Sequence, residues 1–82
     1  MEKEKILIVD DDKNICELLR LYLEKEGYEI LIANDGESAI GMFKQLGANL
    51  ILLDVMMPRV DGWETCRHIR AISQVPIIML TA

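Results

Sequence analysis

The run Leu50-Ile51-Leu52-Leu53 ends on a single acid, Asp54, and then breaks into Val55-Met56-Met57-Pro58. Four apolar residues in a row, bounded at once by a turn signal, suit a strand buried on both faces of a parallel sheet, because an antiparallel strand with one wet face alternates instead. Asp54 then stands where a buried strand emerges. In open α/β sheets the carboxyl ends of the strands form the ligand crevice, so a lone carboxylate there is placed for chemistry, with partners expected at neighbouring strand ends.

The remainder of the chain supplies those neighbours. Lys5-Ile6-Leu7-Ile8-Val9 is a short β-branched run closed by Asp10-Asp11-Asp12, which reads as a buried strand and its loop. Ile15, Leu18, Leu19, Tyr22 and Leu23 recur at helical spacing, with Glu17, Arg20, Glu24 and Lys25 opposite them. Asp12 and the Asn14/Glu17 pair are start signals for that helix, and Gly27 is its stop. A second strand is expected over Tyr28 to Ala33, then a turn at Asn34-Asp35-Gly36-Glu37 in which Asn34 and Glu37 have capping-box spacing. Ala39, Ile40, Phe43 and Leu46 give the inward stripe of a second helix, closed by Gly47. Asp61-Gly62-Trp63-Glu64 opens a third, with Trp63, Cys66, Ile69 and Ile72 as its apolar face, and Pro76 to Leu80 is a fourth strand ending at Thr81-Ala82.

Strands and helices therefore alternate as β-α-β-α-β-α-β, which implies a parallel sheet with right-handed crossovers and helices packed on its faces. No helix follows the last strand. One sheet edge and part of one face are left bare, an arrangement proteins avoid, so the chain is expected to be a truncated domain whose open edge and uncovered face drive self-association.

With 82 residues the chain is one domain at most, burying only about 60% of its unfolded surface. Its 51% apolar and 28% charged content argues against disorder. The net charge of −5, with scattered bases, offers no basic face for a phosphate backbone and excludes direct nucleic-acid binding by this segment. Cys16 and Cys66 stand alone, the start Met-Glu-Lys-Glu-Lys lacks a signal-peptide core, and no apolar run approaches the ~20 residues that cross a bilayer. These features point to a soluble cytoplasmic protein with reduced thiols and no membrane contact.

If the first and third strands are neighbours, Asp10, Asp11 and Asp54 meet in one crevice. At ~5 Å and an effective dielectric of ~20, each ionised pair repels by roughly 3 kcal/mol, so the cluster needs a raised pKa or a cation. Hard oxygen donors in an incomplete cage favour Mg2+ or Mn2+ with waters retained, which suits phosphate oxygens as well. Acids after a strand often only cap the next helix, and Asp12 and Asp61 are read that way. Capping does not explain a doublet facing a single acid across a sheet.

Ile6-Leu7-Ile8-Val9-Asp10-Asp11, then Leu52-Leu53-Asp54-Val55-Met56-Met57-Pro58 with Asp61-Gly62, then Pro76-Ile77-Ile78-Met79-Leu80-Thr81-Ala82 resemble the receiver domain of two-component response regulators, in family order over the whole chain. The resemblance implies a flavodoxin-like (CheY-like) doubly wound sheet of order 2-1-3-4, incomplete here, with residues 1–82 as the N-terminal part of the domain. It implies that Asp54 is the phospho-acceptor that attacks the phosphohistidine of a sensor histidine kinase. Asp11 matches the direct Mg2+ ligand, Asp10 the acid acting through water, Met56 the residue lending its backbone carbonyl, and Thr81 the hydroxyl that swings to the phosphoryl group. Ala82 lies beside that group, and Pro58 and Gly62 shape the turn. The middle and last motifs are most similar to regulators carrying a winged-helix DNA-binding domain, which implies a transcription regulator. In the family a lysine on a fifth strand pairs with the phosphoryl group, and this chain ends before it. Lys13, Lys44 and Arg59 are no substitutes, so the 82 residues alone are not expected to complete the switch.

His68 reads as solvated surface, Cys16 and Cys66 as inert helix residues, and Trp63 and the Met56/Met57 pair as either packing or a kinase-facing surface. Two rival functions stand beside the receiver. One is a non-switching structural or self-assembling fragment; the other is a metal hydrolase using the same acids, for which the sequence offers no general acid. The receiver reading makes the chain a participant in its own phosphoryl transfer and not a turnover enzyme.

Overall fold

The computed structural model of the chain describes residues 3–80. The elements are β1 (Lys5–Val9), α1 (Lys13–Lys25), β2 (Glu29–Ala33), α2 (Gly36–Leu46), β3 (Leu50–Asp54), α3 (Gly62–Arg70) and β4 (Ile77–Leu80). All pairings are parallel and the sheet order is β2-β1-β3-β4, so the winding direction reverses between β1 and β3, as expected for the flavodoxin-like arrangement.

Alternation along the strands divides the sheet into two cores. Leu7, Val9, Ile51 and Leu53 are fully buried on the face roofed by α2 and α3, where Ala39 and Ile69 meet them. Ile6 and Ile8 point the other way, onto Cys16 of α1. Each such aliphatic side chain stabilises the fold by roughly 1.5–3 kcal/mol relative to exposure. The third strand was expected to be buried on both faces, but Leu50 and Leu52 are only half-buried, because among the described residues α1 is the one helix on their side of the sheet.

Two helical stripes are rotated from their expected positions. On α1 the residues that meet the sheet are Cys16, Leu19 and Leu23, at helical i, i+3, i+7 spacing. Ile15, Leu18 and Tyr22, read as inward, belong to an adjoining stripe and are 43%, 54% and 66% exposed. On α3 Thr65 and Ile69 are buried and Cys66 packs beside them, whereas Trp63 and Ile72 are exposed. Ile72 lies past the last helical residue, Arg70, so the helical period no longer aims it.

Asp12 and Asp61 are N-caps as expected: Asp12 Oδ1 accepts from the Asn14 and Ile15 amides at 2.9 and 3.3 Å, and Asp61 Oδ1 from Glu64 at 2.9 Å. The Asn14/Glu17 box does not form, because α1 already starts at Lys13 and Glu17 pairs with Arg20 instead. Nor does the Asn34/Glu37 box: Asp35 caps α2, its Oδ1 accepting from the Ser38 amide at 2.7 Å. Asn34 is thereby released for another task. Gly36, the first residue of α2, is buried where a Cβ would lie 2.6 Å from the Val60 carbonyl, which lets α2 pack tightly against the β3–α3 loop.

Candidate functional site

Strand register builds the site. Val9 pairs with Ala33 on one side and with Leu53 on the other, so the residues one step beyond, Asp10, Asn34 and Asp54, emerge side by side at the carboxyl ends of β1, β2 and β3. Asp10, Asp11 and Asp54 each offer a carboxylate oxygen, and these oxygens lie within 4.8 Å of one another. Asp12, Ile15, Met56 and Leu80 complete a crevice of about 360 Å³ around them. Among the described residues none of the three acids has an ion-pair partner.

The acids differ in setting. Asp10 is only 5% exposed, Asp54 is half-buried and Asp11 faces solvent. Burial pushes the Asp10 carboxyl above its ordinary value, and the charges of Asp54, Asp11 and Asp12 push the same way, against a 2.9 Å hydrogen bond that Asp10 Oδ1 accepts from the Asp12 amide. Asp54 Oδ1 accepts from the Met56 amide at 3.1 Å, which orients the carboxylate within the crevice.

The raised Asp10 pKa carries a stability consequence with a definite sign. Below the ordinary value of 3.8 the acid is neutral in both states; as pH climbs from there through the raised native value, the fold must hold a charge that the unfolded chain holds more easily. Stability falls over that window and stays lower above it. Asp10→Asn, which keeps an oxygen for the Asp12 amide, is therefore expected to raise Tm in metal-free buffer at neutral pH, with the gain closing below pH 3.8. Thermal melts across pH check this, and a variant melting below the wild type at neutral pH would contradict it.

Most residues singled out from the sequence can be located. Met56 is 69% exposed at the crevice, whereas Met57 is packed in the core, so the packing expectation holds for Met57 alone. Gly62 donates its amide to the Val55 carbonyl at 3.1 Å and closes the β3–α3 loop that also holds Pro58. His68 is exposed, and both thiols are free. Thr81 and Ala82 lie outside the described residues.

Sequence reasoning missed Asn34 and the surroundings of Cys16. Asn34 Nδ2 donates to the Asp10 carbonyl at 2.9 Å, and the Cys16 thiol donates to the same oxygen at 3.3 Å. Burial, with the Asp10 and Asp12 charges, pushes the Cys16 thiol up and keeps it a donor. The signal for Asn34 was available, since it directly follows the strand beside β1; its resemblance to a cap obscured it.

A doubly wound parallel sheet with three carboxylates at its reversal point defines the class, a flavodoxin-like α/β module with an acidic crevice. The family model for the response regulator receiver domain matches residues 6–82. The chain is 49% identical over 82 residues to a probable transcriptional regulator ycf27 of Porphyridium aerugineum, covering 100% of this chain and 34% of that protein. The N-terminal domain of a response regulator receiver protein from Methanoculleus marisnigri superposes with a TM-score of 0.94 at 36% identity, over 99% of this chain and 68% of that one. TrrA of Thermotoga maritima, solved with Mg2+ and BeF, gives 0.90 at 44% identity over 96% and 70%, and in complex with the histidine kinase ThkA 0.88 at 44% over 96% and 69%. The chain belongs to the response regulator receiver domain family, the receiving modules of two-component signal transduction. It spans about a third of the curated relatives' length. Among the described residues no helix is long and apolar enough to cross a membrane.

Proposed function

We propose that the chain is the phospho-accepting part of a cytoplasmic response regulator, in which Asp54 takes a phosphoryl group from the phosphohistidine of a sensor histidine kinase. The observation that carries this reading is the convergence of Asp10, Asp11 and Asp54 oxygens within 4.8 Å at a strand-end crevice. That TrrA is described both with Mg2+ and BeF and with a histidine kinase supports it. Residues 1–82 are then the N-terminal part of a receiver domain, and the likeness to a transcriptional regulator supports a transcription effector elsewhere in the protein, with no nucleic acid bound by this segment.

The donor set fits a hard divalent cation: oxygen ligands, a buried acid with a raised pKa, and no basic partner among the described residues. Asp11 directly, Asp10 through water, Asp54 and the Met56 carbonyl are the residues to hold Mg2+, or Mn2+ in its place. Bound there, the ion offsets the carboxylates' mutual repulsion and neutralises charge on the transferring group.

A carboxylate is a weak nucleophile, but phosphoryl transfer through a loose transition state depends on positioning more than on nucleophilic strength. The Met56 amide holds Asp54 Oδ1 and leaves Oδ2 to attack. The Oδ2–P bond forms as the P–N bond of phosphohistidine breaks, and the departing imidazole nitrogen takes a proton. The added charge beside Asp10 and Asp11 recruits the Thr81 hydroxyl and biases a two-state rearrangement read by the effector. The chain is modified once per transfer and does not turn substrate over. The test is an intact-mass measurement on the full-length regulator after acetyl phosphate and Mg2+: one added phosphoryl group is expected, and no gain overturns the reading.

The 82-residue chain is also proposed to pair with a second copy of itself. β4 is an edge strand of the described sheet with Ile78 50% exposed on the α1 side, and Leu18, Leu21 and Tyr22 form a further exposed apolar patch on α1. Light scattering on a sizing column is expected to give a mass above the monomer, and a clean monomer at high concentration rules the pairing out.

A further inference from the structure

We propose that Asn34 and Cys16 are positioning residues of the acidic crevice: together they fix the Asp10–Asp11 peptide unit and so the directions in which the two adjacent carboxylates project. The inference rests on the cation-holding reading given above and concerns residues to which that reading assigns no part.

The juxtaposition is specific. Asn34 reaches the Asp10 carbonyl from the end of β2, and Cys16 reaches the same oxygen from the first turns of α1. Asn34 Nδ2 also lies 3.6 Å from Cys16 Sγ, so the two donors contact each other as well as their shared acceptor. On its other side Asp10 donates its amide to the Ala33 carbonyl at 3.1 Å. The rotation of the peptide plane between Asp10 and Asp11 sets both the last dihedral of one acid and the first of the next, so an anchored carbonyl leaves neither carboxylate free to swing.

That anchoring matters because the acids repel one another and, unanchored, relax by turning apart. A cation then has to reassemble its ligands and binds more weakly, the usual result of removing hydrogen bonds that orient first ligands. Cys16 suits the task here because it is only 1% exposed and small enough to sit under the loop. Neither residue touches the crevice, so neither is a ligand.

The experiment is titration of the full chain with Mn2+ alone, read from the loss of the free-ion paramagnetic resonance signal, beside thermal melts in metal-free buffer. Asn34→Ala is expected to weaken Mn2+ binding by roughly tenfold or more. Cys16→Ala is expected to weaken it severalfold, and Cys16→Ser, which restores a donor, to return it to within about twofold of wild type. A purely structural role would lower the melting temperature of all three in proportion and leave the affinity of the folded fraction unchanged. Asn34→Ala binding Mn2+ like the wild type overturns the inference alone. Should Asn34→Ala fail to fold, equal affinities of Cys16→Ala, Cys16→Ser and wild type overturn it. No Mn2+ binding by the wild type overturns the cation-holding reading and this inference with it.

Discussion

Asp54→Asn is expected to abolish the phosphoryl mass gain outright while leaving the chain folded. The carboxamide keeps the shape of the side chain and an Oδ1 that can still accept from the Met56 amide, so the loop after β3 retains its hydrogen bond. What disappears is the attacking oxygen's charge and one of three mutually repelling carboxylates. Because the Asp54 charge is among the causes that push Asp10 upward, its removal relieves the crevice and should leave metal-free stability unchanged or raised. A variant that melts at or above the wild type yet takes no label from acetyl phosphate separates chemistry from folding. Label retained in the variant would move the acceptor to another side chain.

Gly62→Ala is expected to produce the largest loss of stability from a single added methyl. A Cβ there would run into the Asp54 carbonyl oxygen and lie 2.6 Å from Val55 Cα, and both obstacles are backbone, with no flexible side chain to yield. Relief requires moving either the start of α3 or the exit of β3, and overpacking of this kind costs roughly 1–3 kcal/mol. A domain holding only about 0.05–0.15 kcal/mol of stability per residue gives up a large part of its margin. The displaced segment carries Asp54, so slower phosphorylation of the folded fraction should accompany the loss. Gly41→Ala is the matched control: it is exposed within α2 with nothing within 4 Å of a Cβ, and helix propensity should make it roughly 0.5–1 kcal/mol more stable. Urea melts of the two variants should therefore move in opposite directions, and a Gly62→Ala midpoint at or above the wild type would rule out the close approach.

The elements legible in advance were those where one periodicity had no competitor. Leu50–Leu53 read as a strand, although only Ile51 and Leu53 prove fully buried; the alternation of strands and helices pointed to parallel pairing, and Asp10, Asp11 and Asp54 meet because β1 and β3 are neighbours, an order that the family resemblance implied. Helix faces were harder. α1 carries apolar residues on two adjoining stripes, and nothing along the chain tells which one meets the sheet, since that depends on a rotation of about 100° per residue. Asn34 was obscured for a different reason: Asn34 and Asp35 are both good caps, and only the three-dimensional start of α2 decides that Asp35 takes the role. Thr65, fully buried and donating its hydroxyl to the Asp61 carbonyl at 2.8 Å, was likewise invisible to a search for apolar faces.

The strand pairings behave as a ruler. Asp10, Asn34 and Asp54 share one rung only because β1, β2 and β3 are cut off at the same level, so the connecting helices can lengthen or shorten without disturbing that rung. Deleting a single residue inside β3 is another matter: it would turn every following side chain to the opposite face and carry the acid at its tip away from its neighbours. Variation in this molecule is thus tolerated between the rails of the sheet and forbidden along them.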